Sequence, residues 1–469
     1  MKPIEKYSSF YFVGVAGAGM SAIAQYLSGK GFKVAGSDRQ FKTNGSKVQK
    51  QLEDAGIACF PDDGSGVEAG ISVMVASTAI EESHPAFQKA KTLGIPVKHR
   101  SEILAEIALS CKTIAVSGTS GKSTVTAMIY HVLDCAGLSP SLITGAGLVS
   151  LERLGKIGNA VAGNGEWLVI EADESDGSLV RYFPDIGIIL NVDKDHKEIS
   201  ELEEIFQKFS ENIKERNGVL FANGDNLLAA KYVSNRLNLF GKEQSYGVQG
   251  VDYRVEGFSS CFRVRNAGEL VRFCLPLPGK HNMENALAAT SAALKVGVNL
   301  RDIAEALSTF PGIYRRHQIL GSFGGVTLVD DFAHNPAKIA ASIRSVQGFT
   351  QKRVLAWFQP HGFGPTRFLR NDLVESIRDS LRENDQMFFS EIFYAGGTVV
   401  RDISAGDLSS DLENAGRKST FIENRMECAK EMVRLAEPGD TILLMGARDP
   451  SLADFAKEVV KLLHERFGN

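Results

Sequence analysis

The chain has 469 residues, which is too long for a single hydrophobic core and indicates two to four domains. Hydrophobic residues make up 43%, charged residues 23%, and the formal net charge is −4, so nothing in the composition suggests nucleic acid or a membrane as a partner. No apolar stretch is long enough to span a bilayer, and the scattered cysteines indicate a cytoplasmic protein with reduced thiols at Cys59, Cys111, Cys135, Cys261, Cys274 and Cys428.

The first elements predict a βαβ unit around a glycine-rich turn. An apolar strand at 11–15 runs into the turn Gly14–Ser21, and a helix at 22–27 and a second strand follow. The glycines are spaced GxxGxG rather than GxGxxG, so the turn indicates only a phosphate-bearing ligand or close packing of helix on strand. Asp38 follows the second strand, where it could bond a ribose hydroxyl or be an ordinary surface acid. The first domain is expected to cover residues 1–110.

The stretch 113–136, TIAVSGTSGKSTVTAMIYHVLDCA, has the layout of a phosphate-binding loop. A short apolar strand precedes a glycine-rich turn, and an apolar helix is expected from residue 125. Lys122 would reach the β- and γ-phosphates, and Ser123 would offer its hydroxyl to Mg²⁺. Val116 occupies the position of the first glycine in the strict motif, so a glycine-rich turn with an exposed lysine is the alternative.

The second domain is expected to cover residues 111–312. Two further strands in this domain run into polar residues. The strand 167–170 runs into EADESD at 171–176, and the strand 186–190 runs into NVDKDH at 191–196. The carboxyl ends of neighbouring parallel strands meet at one edge of a sheet, so one of these acids and His196 could hold Mg²⁺ or phosphate. A solvated acidic loop and a structural histidine are the alternatives.

The remaining sequence completes a three-domain α/β architecture. Short alternating runs from 245 to 277 predict a small antiparallel excursion, and KHNMEN at 280–285 precedes an alanine-rich helix. These polar side chains could contact a nucleotide or cap the helix. Alternating strands and helices from 313 to 469 predict a third α/β domain. It contains RRH at 315–317 and DDFAHNP at 330–336.

Taken together, these motifs resemble the Mur ligases, ATP-dependent amide-forming enzymes of peptidoglycan synthesis. The resemblance covers the whole chain, since the motifs occur in order through all three domains. GAGMS and EADESD are most similar to members that add L-alanine to UDP-N-acetylmuramate, whereas DDFAHNP is closer to members that recycle murein tripeptide. The resembling segments are GVAGAGMSAIA at 14–24, ASTAI at 76–80, GTSGKST at 118–124, EADESD, NVDKDH, GKHNMENALAA at 279–289, RRH and DDFAHNP.

The resemblance implies a Rossmann-like N-terminal domain for the UDP-sugar, a central P-loop-type ATPase domain with a parallel sheet, and a Rossmann-like C-terminal domain that closes over ATP. The muramyl carboxylate would attack the γ-phosphate of ATP, and the amine of L-alanine would then displace phosphate from the acyl phosphate. There are two alternatives. The same reaction could take a murein tripeptide or another amine, or the chain could be a nucleotide-binding homologue without turnover. The resemblance also implies a cytoplasmic monomer or homodimer.

The resemblance assigns roles to particular residues. The catalytic residues would be Lys122, His196, Arg316 and His334. Mg²⁺ would be held by Ser123, Glu171 and His196. The UDP-sugar would lie on Gly17, Ala18, Gly19, Met20, Ser21, Asp38, Ser77 and Thr78. ATP would lie on Gly118, Thr119, Ser120, Gly121, Lys122, Ser123, Thr124, His281, Asn282, Asn285, Arg316 and Asp331.

Four positions depart from the pattern of the alanine-adding and tripeptide-recycling members. Ser123 replaces the commoner threonine of the phosphate loop and keeps the hydroxyl. Ser120 replaces a histidine of the phosphate loop, Asn335 replaces a second histidine, and Gly362 stands where an arginine is usual. These departures lie near the phosphates and the amine. They leave the identity of the added amine open.

Overall fold

The computed structural model describes residues 2–42, 46–78, 80–174, 177–193, 198–394 and 400–468. These residues form three sheets, of five, ten and six strands. The chain divides into two compact units. The first comprises Met1–Arg254, Ser260–Pro276 and Lys280–Ile313, and the second Val255–Ser259, Leu277–Gly279 and Tyr314–Asn469. No helix in the described part of the chain is both apolar and long enough to cross a bilayer.

The five-stranded sheet is parallel throughout and has the order β3-β2-β1-β4-β5. Its first strand is buried because four consecutive residues, Phe10 to Val13, are at most 1% exposed. The elements are β1 Ser9–Val13, α1 Ala18–Gly29, β2 Lys33–Ser37, α2 Lys47–Asp54, β3 Ala58–Phe60, β4 Val73–Ala76, α3 Pro85–Thr92, β5 Val97–His99 and α4 Arg100–Leu109.

The ten-stranded sheet follows the five-stranded sheet along the chain. Its elements are β6 Lys112–Ser117, α5 Lys122–Cys135, β7 Ser141–Ile143, α6 Val149–Glu152, β8 Ala160–Val161, β9 Trp167–Glu171, β10 Ile186–Ile189, α7 Ile199–Glu215, β11 Val219–Asn223, α8 Leu227–Ala230, β12 Leu239–Gly241, β13 Val248–Glu256, β14 Ser259–Asn266, β15 Glu269–Leu275, α9 Lys280–Val296 and α10 Leu300–Ser308. The strand order is β15-β14-β13-β12-β11-β10-β6-β9-β7-β8.

The strands that were predicted to meet at one sheet edge are neighbours. β6 lies between β10 and β9, and both pairings are parallel. The polar residues that follow these three strands therefore emerge at the same edge of the sheet. The expected antiparallel excursion is also present, because β14 and β15 pair antiparallel from Ser260 to Leu275.

The expectation of six reduced cysteines is wrong for one pair. Cys261 and Cys274 are directly opposite in the register of β14 and β15, and they form a disulfide. A directly opposed cross-strand pair brings the two Cβ atoms close together, and the sequence alone did not reveal this register. The other four cysteines are free thiols.

The six-stranded sheet belongs to the second unit. Its elements are β16 Gln318–Phe323, β17 Val326–Asp331, α11 Pro336–Gln347, β18 Val354–Gln359, α12 Phe363–Phe368, α13 Arg370–Ser380, β19 Gln386–Phe389, α14 Ala405–Asn414, β20 Lys418–Phe421, α15 Arg425–Leu435, β21 Thr441–Gly446 and α16 Leu452–Phe467. The order is β16-β17-β21-β18-β19-β20, and only β16 runs antiparallel to its neighbour. Apolar clusters cover both faces of this sheet.

Candidate functional site

The phosphate loop connects β6 to α5 and requires glycine at two positions. Gly118 and Gly121 have φ values of 134° and 88°, which L-residues with side chains rarely adopt. A Cβ on Gly118 would lie 3.0 Å from the backbone nitrogen of Asn191, and one on Gly121 would lie 2.7 Å from Oδ1 of Asn285. The loop therefore packs its bare backbone between two polar residues of the same unit.

Helix α5 begins at Lys122, three residues earlier than the apolar pattern predicts. Lys122, Ser123 and Thr124 consequently form its first turn. Amides in a first turn have no acceptor within the helix, and the helix dipole places partial positive charge there. This end of the helix suits an anion such as phosphate.

Lys122 is held by two acids that follow β9. Its ammonium lies 2.7 Å from Oε2 of Glu174 and 3.4 Å from Oδ1 of Asp173, and it donates to the carbonyl of Gly118 at 2.8 Å. Burial alone would lower the pKa of Lys122, but Glu174 and Asp173 outweigh it and raise the pKa. Burial raises the pKa of Glu174 despite the attraction of Lys122. We take Lys122 to be charged at neutral pH.

Ser123 faces the carboxylate of Glu171 at the end of β9. The serine hydroxyl donates to Oε1 of Glu171 at 3.0 Å. The other oxygen, Oε2, accepts from the hydroxyl of Thr144 and from the backbone N–H of Gly145, both at 2.8 Å. These two donors fix the rotamer of Glu171, so Oε1 points at the phosphate loop.

Asn191, after β10, ties its own strand end to the phosphate loop. Its Oδ1 accepts from the hydroxyl of Thr119 at 2.7 Å and from the backbone N–H of Ser120 at 2.8 Å. Its Nδ2 donates to the carbonyl of Ser120 at 3.1 Å. Sequence reasoning assigned no role to Asn191, although the NVDKDH segment placed it at the correct strand end.

Asn282 and Asn285 lie within α9 rather than before it. The helix begins at Lys280, and both asparagines are less than 10% exposed. Nδ2 of Asn285 donates to Oδ1 of Asn282 at 3.2 Å, and Asn285 is the residue that Gly121 faces. The alternative that these asparagines cap the helix is therefore wrong. His281 is exposed in the first turn.

Several residues of the predicted motifs fall outside the described part of the chain. They include His196, which was predicted as a magnesium ligand and catalytic residue. The others are Ser175 and Asp176 of the EADESD segment, Lys194 and Asp195 of NVDKDH, and Ala79 of ASTAI.

The glycine-rich turn of the first domain lies between β1 and α1. Three consecutive N–H groups are used to hold it, because those of Gly14 and Val15 donate to the carbonyl of Ser37 and that of Ala16 donates to Oδ2 of Asp38 at 3.0 Å. Asp38 also accepts from the N–H of Gln40. Asp38 thus contacts the turn itself.

Helix α1 begins at Ala18, so Gly19 and Met20 lie in its first turn. The amides of these residues are available to an anion, as at any helix N-terminus. A Cβ on Gly19 would lie 3.2 Å from Nη1 of Arg100, so a guanidinium lies over this turn. Arg100 was missed in the sequence, since it belongs to a helix start eighty residues away.

Ser21 bonds the start of α1, whereas Ser77 and Thr78 follow the neighbouring strand. The backbone N–H of Ser21 donates to the carbonyl of Gly17, and its hydroxyl donates to the carbonyl of Ala18 at 3.0 Å. Ser77 and Thr78 follow β4, the strand beside β1. Ile80, two residues on, would lie 3.8 Å from a Cβ on Gly14.

In the second unit, the adjacent arginines differ. Arg315 is buried. It donates to Oδ2 of Asp330 and to the carbonyl of Gly446, both at 3.0 Å. Arg316 is exposed, and its guanidinium lies 5.8 Å from the ring centroid of Phe332. Arg316, the predicted ATP contact, is therefore the arginine that faces solvent.

Asp331 lies in a buried pair with His317. Oδ2 of Asp331 is 2.7 Å from Nδ1 of His317, and Oδ1 accepts from the N–H of Ala333 at 2.8 Å. Burial would lower the pKa of His317, but Asp331 outweighs it and raises the pKa. Burial would raise the pKa of Asp331, but His317 and then Arg316 lower it.

His334, His361 and Arg448 follow three neighbouring strands of the second unit. Nδ1 of His334 lies 2.9 Å from the carbonyl of Phe332, which can only accept, so Nδ1 carries the proton and Nε2 keeps a lone pair. Burial, then His334 and Arg448, lower the pKa of His361 to about 4. Burial also lowers the pKa of His334, and the cationic side chains nearby add to this effect. Both imidazoles are therefore neutral at pH 7.

Arg448 is exposed just after β21, and its backbone φ of 63° is left-handed. Its guanidinium makes no hydrogen bond or ion pair within the described ranges. A side-chain-bearing residue in this conformation is uncommon and is often found at functional sites. A bare cation beside two neutral imidazoles can receive a carboxylate.

Two departures from the family pattern have local explanations. Asn335 is the N-cap of α11, where its side chain accepts from the N–H of Lys338 at 2.9 Å. Gly362 has a φ of 74° just before α12. Asparagine and glycine suit these two positions, so both departures serve the backbone of the second unit.

The phosphate loop fits a nucleotide with Mg²⁺. Mg²⁺ prefers oxygen ligands, and the Ser123 hydroxyl and Glu171 carboxylate meet at the first turn of α5. The glycine backbone and the Lys122 ammonium add donors for phosphate oxygens. The donor set of the described residues therefore agrees with a magnesium nucleotide.

Three family models match consecutive parts of the chain. The first is described as the Mur ligase family catalytic domain and matches residues 9–111. The second is the Mur ligase middle domain, at 116–293, and the third is the Mur ligase glutamate ligase domain, at 315–448.

Known proteins are similar over nearly the full length. The UDP-N-acetylmuramate–L-alanine ligase of Syntrophomonas wolfei is 35% identical over 450 residues, which cover 94% of each chain. A protein of the same name from Carboxydothermus hydrogenoformans is 32% identical over 455 residues, or 95% of each chain.

Solved structures share the three-domain fold. The UDP-N-acetylmuramate-alanine ligase of Thermotoga maritima has a TM-score of 0.77 at 23% identity, covering 97% of this chain and 99% of that one. A murein peptide ligase from Psychrobacter arcticus has a TM-score of 0.65 at 21% identity, covering 98% and 99%.

Proposed function

The chain belongs to the Mur ligase family, and we propose that it is an ADP-forming, ATP-dependent ligase that joins the carboxylate of UDP-N-acetylmuramate to L-alanine in peptidoglycan synthesis. The observation that carries the proposal is the phosphate loop, in which Lys122 and the Ser123–Glu171 pair are held ready for a nucleotide. We also propose a cytoplasmic location for this activity.

The proposed reaction has two steps. The muramyl carboxylate attacks the γ-phosphorus of ATP, and ADP leaves as the acyl phosphate forms. The ammonium of L-alanine gives one proton to a base, and the resulting amine attacks the acyl carbon. Phosphate leaves and carries away the second proton that the nitrogen loses as the amide forms. Phosphoryl transfer needs positioning and charge neutralisation rather than a covalent nucleophile, which agrees with a loop built from lysine, glycine and serine.

The chain's own residues would divide the work by domain. Residues 1–110 would bind the UDP-sugar, with its diphosphate on the amides of Ala18, Gly19 and Met20. Residues 111–312 would bind ATP, with Lys122 neutralising the phosphates. Mg²⁺, held by Ser123, Glu171 and His196, would supply further neutralising charge at the transferring phosphoryl oxygens. Residues 313–469 would bring both Arg316 and Asp331 to the ATP.

The amine side would be formed by the second unit. His334 is neutral with a free lone pair at Nε2, so it can accept the proton that the alanine ammonium must lose. Arg448 can bind the α-carboxylate of the amino acid, since its guanidinium is unpaired within the described residues. These assignments make an amino acid with a free carboxylate a suitable amine.

The test measures phosphate release with ATP, Mg²⁺ and UDP-N-acetylmuramate while the amine is varied. L-alanine should give phosphate and a product whose mass is that of the amide. A reaction without an amine should show no turnover. Glycine, L-serine and murein tripeptide are the comparison amines. Turnover with tripeptide alone would move the assignment to the recycling reaction, and silence with every amine would overturn the proposal.

A further inference from the structure

Asn159 connects the first domain to the central sheet. It is the last residue before β8, is 2% exposed and faces α1. Its Nδ2 donates to the carbonyl of Ala18 at 2.8 Å and to the hydroxyl of Ser21 at 3.0 Å. Its Oδ1 accepts from Nε2 of Gln25 at 2.8 Å. One buried amide therefore holds the first two turns of the helix that follows the glycine-rich turn.

The backbone of Asn159 continues this connection to the phosphate loop. Its carbonyl accepts from the N–H of Thr144 at 3.0 Å. The hydroxyl of Thr144 donates to Oε2 of Glu171 at 2.8 Å, and Oε1 of Glu171 accepts from the hydroxyl of Ser123 at 3.0 Å. An unbroken series of hydrogen bonds thus runs from α1 to the first turn of α5.

The surrounding packing makes the connection rigid. A Cβ on Gly29 would lie 2.6 Å from Cβ of Ala162, so α1 lies directly on the segment that follows β8. Lys30 donates to the carbonyl of Gly163 at 2.5 Å, at the far end of the same helix. Asn159 is placed at the near end, where α1 presents its amides.

We propose that Asn159 is a positioning residue that holds the sugar-nucleotide turn in register with the phosphate loop. This inference rests on the proposed function, since it assigns the two ends of the series to the two nucleotide substrates. Its consequence is that the reacting carboxylate and the γ-phosphate are brought to a fixed separation by the protein. A misplacement of about 1 Å is enough to lower a rate about 100-fold, so such a device has kinetic value.

The first test uses two substitutions at this position. Asn159→Ala removes all three side-chain bonds, whereas Asn159→Asp keeps the acceptor for Gln25 and loses both donors to α1. We expect each to lower kcat about 100-fold, to raise the KM for UDP-N-acetylmuramate about 10-fold or more, and to leave the KM for L-alanine within about two-fold. Recovery of wild-type KM in Asn159→Asp would overturn the inference, because the lost donors would then be unimportant.

The matched control is Lys30→Met. It breaks another hydrogen bond between the same two segments, at the opposite end of α1 and outside the series. Its KM values should stay within about two-fold of wild type, since only the near end positions the turn. If Asn159→Ala and Lys30→Met give the same KM values at a similar Tm, Asn159 is only a structural contact and the inference fails.

A binding measurement separates this inference from the proposed function. Titration calorimetry would measure the Kd of UDP-N-acetylmuramate with and without ADP and Mg²⁺. In the wild type, UDP-N-acetylmuramate and ADP with Mg²⁺ should each tighten the binding of the other about five-fold or more. In Asn159→Ala this coupling should fall below about two-fold. Retained coupling in Asn159→Ala, or none in the wild type, would overturn the inference. Failure of the wild type to bind the sugar nucleotide would overturn the proposed function itself and the inference with it.

Discussion

The ammonium of Lys122 lies 2.7 Å from Oε2 of Glu174, whose side chain is only 6% exposed. An acidic residue of the protein thus neutralises the lysine that we assign to the phosphates of ATP. Breaking such a pair from one side leaves the other charge buried without compensation. The pair therefore gives separate predictions for activity and for stability.

We expect Lys122→Ala to lower turnover about 1,000-fold or more, because the transferring phosphoryl group loses its main cation. It should also destabilise the fold by about 1–3 kcal/mol, since Glu174 loses its partner. Urea unfolding and phosphate release measure the two effects. Adding Glu174→Gln should restore stability and leave the protein inactive, and additive destabilisation in the double variant would contradict this account.

The pH dependence of this effect has a definite sign. The folded pKa of Lys122 is raised, so the pair stabilises the fold at neutral pH and loses that effect as pH rises above the ordinary lysine value of 10.5. The folded pKa of Glu174 is raised above 4.5 and should rise further in Lys122→Ala. The stability difference between that variant and the wild type should therefore shrink as pH falls, because the lone carboxyl becomes protonated.

The two adjacent arginines of the second unit, Arg315 and Arg316, provide a second prediction. Arg315→Met should destabilise the second unit by about 1–3 kcal/mol, because Asp330, whose pKa burial already raises to about 6, loses its ionic partner. Arg316→Met should change stability by less than about 0.5 kcal/mol and lower turnover about 100-fold or more. Urea unfolding and phosphate release of both variants provide the comparison. Equal effects on stability would show that exposure does not separate their roles.

Elements with a strong local signal were predicted correctly from the sequence. The strands β6, β9 and β10 carry continuous apolar runs and pair in parallel, with β6 in the middle. Helix α1 begins four residues and helix α5 three residues earlier than predicted. The first turn of α5 consists of Lys122, Ser123 and Thr124, which no apolar pattern includes, and that of α1 contains Gly19 and Ser21 beside Ala18 and Met20. These first turns are the parts that we assign to phosphate.

Features that depend on tertiary register were missed. β8 has only two residues, which is too short for any periodicity, and the partners of Asn159 lie in α1, about 138 residues earlier in the chain. The disulfide between Cys261 and Cys274 depends on the pairing of β14 with β15. Ser120, Asn335 and Gly362 were recognised as departures, but the capping role of Asn335 required the start of α11.

The pair of Ser123 with Glu171 predicts a dependence on Mg²⁺. Ser123→Ala should raise the Mg²⁺ concentration for half-maximal turnover about 10-fold, because one oxygen donor is lost at the metal. Ser123→Thr keeps the hydroxyl and should stay within about three-fold of wild type. Titration of Mg²⁺ at saturating ATP measures this. A Ser123→Ala variant with an unchanged Mg²⁺ requirement would remove Ser123 from the proposed metal site.

Arg448 predicts a linked change in substrate affinity and in pH profile. Arg448→Met should raise the KM for L-alanine about 10- to 100-fold, since a charge-assisted bond to the carboxylate is lost. It should also raise the pKa of His334 and His361, because a nearby cation that lowers both is removed. The acid limb of kcat/KM for L-alanine should lie below pH 6.5 in the wild type and move to higher pH in the variant.

The control for Arg448 is Arg344→Met, which removes an exposed arginine of α11 in the same unit. Its KM for L-alanine and its acid limb should match those of the wild type, because Arg344 is not among the charges that act on either histidine. The two readouts test different parts of the assignment. A raised KM without a shifted limb would keep Arg448 as the carboxylate partner but remove His334 as the proton acceptor. A shifted limb with an unchanged KM would place the carboxylate elsewhere in the second unit.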